Sequence, residues 1–150
     1  MKYAHNIEMR VFSKEVDDES LIMEKINELF PFDFKKEKIN LTIQNSTGFE
    51  EKLIRIITVS LDKGRHISIF LENIIPKLSE KDKQMLVEQM DTRLDEHLNF
   101  YFRFEKYELL NGKYVVTDTG NCFRFKLVVA AYPHKREIAE KLVEDMLNLR

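Results

Sequence analysis

Apolar side chains recur along the chain with two periods. HNIEMRVFSK (5–14) alternates, with Ile7, Met9 and Val11 on one side and Glu8, Arg10, Phe12 and Lys14 on the other, as in a strand. Asp17, Asp18 and Glu19 then offer capping carboxylates to a helix whose stripe is Ile22, Ile26, Leu29 and Phe30. Pro31 ends it. KINLTIQN (38–45) predicts a second strand, STGFEEK a turn around Gly48, and the evenly apolar LIRIITVSL (53–61) a more central strand.

The clearest helical stripe is Ile67, Phe70, Leu71, Ile74, Ile75 and Leu78, interrupted at Pro76. Ser79 is placed to cap a further helix over 79–94 carrying Leu86, Met90 and Leu94, and Ser79 with Asp82 fits a weak capping pattern. NFYFRFEKY (99–107) alternates again: Phe100, Phe102 and Phe104 against Tyr101, Arg103 and Glu105. Asn111-Gly112 predicts a turn into KYVVTD, and Gly120 a turn into CFRFKLVVAAY, where Phe123, Phe125, Leu127, Val129 and Ala131 share a face. Pro133 suits a helix start, and Ile138, Leu142, Val143, Met146 and Leu149 form the last stripe.

Short turns between strands, without a βαβ rhythm, predict an α+β fold. The expected architecture is one domain over 1–150, with a largely antiparallel sheet of five to six strands and helices on one face. A chain of 150 residues suits that size.

Charge changes the picture little at the level of the whole chain, because 24 basic and 26 acidic residues leave a formal net charge of −2. Any basic surface must be local. Cys122 is the single cysteine, which excludes an intrachain disulfide and favours a reducing cytoplasm. No stretch reads as a signal peptide or membrane span.

Enzyme signatures are lacking. His5, His66, His97 and His134 have no close His or Cys partner, so no metal pattern appears, and surface or boundary positions are expected for them. The isolated glycines exclude phosphate-binding loops, and no cofactor is expected. Asp91 and Asp95 read as a solvated helix face, and Cys122 as a structural thiol.

The informative signal is distributed. If the phenylalanine faces meet the helices, Tyr101, Arg103, Tyr107, Arg124 and Lys126 share an open sheet face that can hold phosphates and stack bases. Lys135 and Arg136 at the last helix start could extend it. An ordinary solvated face, neutralised by Glu8 and Glu105, accounts for the same pattern. KKEK (35–38) with Lys63, Arg65 and His66 is a second basic cluster, most simply a solvated loop.

Nearly the whole chain, most specifically from Leu98 onward, resembles an archaeal family described as predicted exosome subunits or RNA-binding proteins. Glu105-Lys106, Gly112, Asp118, Cys122, Tyr132-Pro133 and Lys135-Arg136-Glu137 stand at that family's marked places. One departure is the STGFEEK loop, which keeps Gly48 but lacks the Asn-Pro of many relatives. The resemblance implies a fold like that of ribosomal large-subunit protein five. It also implies a non-enzymatic role with RNA, single-stranded or structured, alongside RNA-processing proteins. The expected RNA-binding residues are Tyr101, Arg103, Lys106, Arg124, Lys126, Lys135 and Arg136. The competing expectation is a protein-interaction module or homodimer using the same face or a strand edge.

Overall fold

The computed structural model describes residues 1–48, 50 and 52–150. The STGFEEK turn includes Phe49 and Glu51, which lie outside the described residues. Six strands, β1 (Ala4–Lys14), β2 (Asn40–Thr47), β3 (Leu53–Leu61), β4 (Asn99–Glu105), β5 (Val116–Thr117) and β6 (Cys122–Val129), form one sheet in the order β2-β3-β1-β6-β4-β5. Every pairing is antiparallel. Six helices complete the α+β domain: α1 (Glu19–Leu29), α2 (Gly64–Ile74), α3 (Glu80–Glu88), α4 (Met90–Arg93), α5 (Lys106–Leu110) and α6 (Arg136–Leu147). Among the described residues, no helix is long and apolar enough to cross a membrane.

The core forms where the period-2 faces of the strands meet the helical stripes. Met9, Phe102 and Phe125 are opposed across β1, β6 and β4, and all are buried. Aromatic rings run through this core in contact. Phe30, just beyond α1, stacks on Phe70 of α2 at 4.7 Å between centroids. Phe70 meets Phe125 at 5.7 Å, and Phe125 stacks on Phe102 at 4.8 Å and 8°. The expected core residues Ile67, Leu71, Ile74, Phe100, Phe104 and Leu127 are buried with them. β2 alternates as expected, but it is an edge strand, so Ile43 on its inward side stays 40% exposed.

Capping explains several boundaries. Asp18 accepts the Ser20 N–H and starts α1. Ser79 accepts the Asp82 N–H at 3.1 Å. The Asp82 carboxylate instead takes the Val116 N–H, tying α3 to β5.

Three expectations need correction. The helix expected over 79–94 is two, α3 and α4, which meet at Gln89. The strand expected over 99–107 stops at Glu105, whose carboxylate accepts the Glu108 N–H at 2.6 Å and caps α5. Asn111-Gly112 therefore closes a helix rather than a hairpin. Gly112 has φ +87°, its N–H reaches Leu109 O, and the Lys113 N–H reaches Glu108 O, the paired bonds of a Schellman end. Finally, KYVVTD does not lie between the two strands that its turns connect: β4 and β6 are direct neighbours, with β5 outside them at the sheet border.

Phe125→Ala should destabilise the protein by about 3–5 kcal/mol, the usual cost of emptying a buried aromatic site. Urea denaturation measures it, and Phe125→Leu should cost less because it leaves the smaller void.

Candidate nucleic-acid interface

The same alternation that buries Met9, Phe102 and Phe125 turns their chain neighbours outward. The registers oppose Arg10 to Arg124 and Arg124 to Arg103, so three arginines from β1, β6 and β4 form one lateral row. Thr58 and Thr117 flank it on β3 and β5. One step along the strands, Glu8, Lys126 and Tyr101 form a parallel row.

Like charges on opposed cross-strand positions repel, and little on the protein offsets these. Among the described residues, Arg103, Arg124 and Lys126 enter no ion pair, while Arg10 meets Glu8 at 3.7 Å. Glu105, a candidate neutraliser, is committed to the α5 cap. The Arg10 Nε is buried without a hydrogen-bond partner. All three arginines are half-buried, so their stems lie along the sheet while their heads reach solvent.

Tyr101 lies on this face, but its ring is occupied. The Arg124 guanidinium lies 5.2 Å from the ring centroid, a cation–π contact. Its hydroxyl donates to Asp95 at 3.3 Å. Burial alone would raise the Asp95 carboxyl, but donors from Asn99, His97 and Tyr101 hold it below the usual range. Tyr101 thus props the arginine row.

Lys106 departs from its expected role. Its side chain is 1% exposed, and its ammonium donates to Phe12 O at 2.6 Å and to Asp17 Oδ2 at 3.0 Å. Asp17 also accepts the Lys14 N–H and the Tyr107 hydroxyl, so it is a buried anchor rather than a helix cap. Burial would raise its carboxyl, but these donors outweigh that and hold it low. Tyr107 is likewise drawn toward Asp17 rather than presented with the arginines. Lys135 and Arg136 belong to the helical layer at the start of α6. There Arg136 pairs with Glu140 at 3.0 Å and donates to Met90 O.

The second basic cluster is also internally engaged. Arg65 pairs with Glu37 at 2.6 Å, and His66 is buried with its ring against Phe32, rather than at the surface or boundary as expected. Burial pushes the Cys122 thiol up despite nearby Arg103, Lys106 and Arg124, so it stays protonated.

The sheet therefore brings together Tyr101, Arg103, Arg124 and Lys126, and adds Arg10. The β1 alternation had already put Arg10 on a polar face; its place beside Arg124 depends on the β1–β6 pairing.

A family model described as RNA binding matches residues 6–130, a span that contains the whole arginine row. The chain belongs to this RNA-binding family. Within the family's likeness, the chain is 28% identical over 144 residues to RNA-binding protein PAB1135 of Pyrococcus abyssi, spanning 96% of this chain and 94% of that one. The fold is shared with protein AF2318 from Archaeglobus fulgidus, at TM-score 0.80, 22% identity and coverage of 95% and 99%. It is shared as well with Mth689, a DUF54 protein from Methanothermobacter thermautotrophicus, at TM-score 0.77, 23% identity and coverage of 97% and 99%.

Lys106→Met should leave Asp17 buried without its cation and cost about 3–5 kcal/mol in urea denaturation. Because Asp17's folded carboxyl is held low, its stabilisation is complete above an unfolded value of about 3.9 and is lost as pH falls through the lower folded value. Asp17→Asn should flatten that part of the acid limb in a pH series of denaturation curves.

Proposed function

We propose that this protein is a non-enzymatic RNA-binding protein whose contact surface is the open sheet face. The observation that carries the reading is the row Arg10–Arg124–Arg103, opposed across three strands without an intervening carboxylate. Such a row leaves positive charge for an external polyanion to offset, and guanidinium groups match phosphate oxygens with paired donors. Lys126 extends the cationic area along β6. The family's description as RNA binding supports the choice of polyanion. The non-enzymatic part follows from the family's description, which names binding and no reaction.

The wider setting in this proposal is cytoplasmic RNA processing, alongside exosome machinery, as the family resemblance implies. The fold like ribosomal large-subunit protein five belongs to the same reading. A second reading, a homodimer or protein-interaction module, is favoured by β2: this border strand, NLTIQNST, carries no charge or proline to deter pairing. Sedimentation as a monomer at high micromolar concentration would exclude the homodimer.

Replacing Arg10, Arg103 and Arg124 together with Gln should weaken RNA binding across sequences. With about 0.7 lost per phosphate contact, the log–log salt slope should fall by roughly 2. The variant should remain folded, because these heads lie outside the core. A folded triple variant with unchanged affinity and slope would remove this face from consideration.

A further inference from the structure

Beside the arginine row, the open face sinks into a groove of ≈ 390 Å³. This falls in the ~300–1,000 Å³ range of small-ligand sites. It is lined by Phe12 of β1, one outward position beyond Arg10, and by Cys122 at the start of β6. Arg10 and Arg124 stand at its edge, and Lys14 bridges to Asn121 Oδ1 at 2.5 Å. Gly120, with φ +87°, brings the β5–β6 turn to the rim, where an added Cβ would meet nothing but would strain the backbone. No carboxylate lines the groove among the described residues. Lys106 also lines it, but its ammonium is already matched by Asp17.

Phe12 is unusual in this setting. Its outward position leaves the ring 45% exposed, although its backbone is firmly held: Phe12 is opposed to Ile56 of β3, and its carbonyl accepts Lys106 Nζ at 2.6 Å. An exposed ring on a well-held backbone, next to Arg124, which enters no ion pair among the described residues, and to Arg10, whose Nε is buried and unpartnered and whose guanidinium meets only Glu8 at 3.7 Å, combines an aromatic platform with an anion site. Tyr101, the other ring on these rows, is covered by Arg124 and cannot offer a free face on that side.

We propose that the groove binds one unpaired nucleotide of a single-stranded RNA, its base stacked on Phe12 and its flanking phosphates held by Arg10 and Arg124. The inference rests on the RNA-binding reading of the open face and specifies the kind of RNA. Paired bases cannot present their faces to a side chain, whereas unstacked bases can, so the platform selects single strands. Phe12 supplies stacking and the arginines supply charge, and the two contributions have different salt signatures.

The test compares a single-stranded oligoribonucleotide with a hairpin duplex of the same composition, titrated by fluorescence anisotropy at several salt concentrations. The wild-type protein should prefer the single strand. Phe12→Ala and Phe12→Leu should each weaken single-strand binding about 5- to 160-fold, the range for losing one stacked base, with the salt slope unchanged. Phe12→Tyr should restore most of the affinity, and duplex binding should not respond to any of these changes. Thermal melts check that each variant is folded; Phe12→Leu keeps apolar bulk if Phe12→Ala is unstable. Single-strand binding at wild-type strength in folded Phe12→Leu, together with loss in the triple arginine variant, would overturn the stacking proposal and leave the RNA reading standing. Preference for the duplex would also overturn it. Failure of the wild-type protein to bind either RNA would remove both.

Discussion

Phe102 and Phe125 face each other as stacked rings in the middle of the core, and Met9 lies across from Phe125 on the next strand. A strand that slipped by one residue would turn every side chain to the opposite face. The rings would then meet solvent and the arginines would enter the core, at a cost no surface interaction could offset. The register that buries the rings is therefore the register that aligns Arg10, Arg124 and Arg103. Core packing and the charged face are two sides of one constraint, and neither can be changed by shifting a strand without losing the other.

The face carries a local conflict in return. Opposed arginines destabilise the sheet they stand on, and a buried Nε without a partner adds to that strain. The protein tolerates it because only one face of the sheet is covered, so the guanidinium heads keep access to water. Tyr101 eases it further by placing an aromatic face against Arg124 and fixing its own hydroxyl on Asp95. Conflict concentrated on one uncovered surface, within an otherwise consistent fold, is the pattern expected where stability has been traded for binding.

Alternation and helical stripes made the strands, the main helices and the buried phenylalanines legible, because each is encoded by residues close together in the chain. Arg103, Arg124 and Lys126 could be put on one face for the same reason. What escaped depends on distant partners. Lys106 looked like a surface cation, but its partner Asp17 is 89 positions away and sits in what read as a capping run. The short helix α5 interrupts a strand-like pattern because Glu105 caps it and Lys106 is drawn inward. Arg10 was visible on a polar face, but only the strand order makes it a neighbour of Arg124. His66 looked like a boundary residue until Phe32 and Glu37 enclosed it.

The strand order also governs how the molecule breathes. The arginines stand on β1, β6 and β4, three of the interior strands of the sheet. Their amides are bonded on both sides, whereas β2 and β5 each leave one side unpaired. Local opening should therefore begin at the borders, and hydrogen exchange should be slowest beneath the arginine row, where opening approaches global unfolding. A ligand arriving there meets a backbone that is already ordered. What remains to be immobilised is the guanidinium heads, so little of the binding free energy is spent on arranging the surface that receives it.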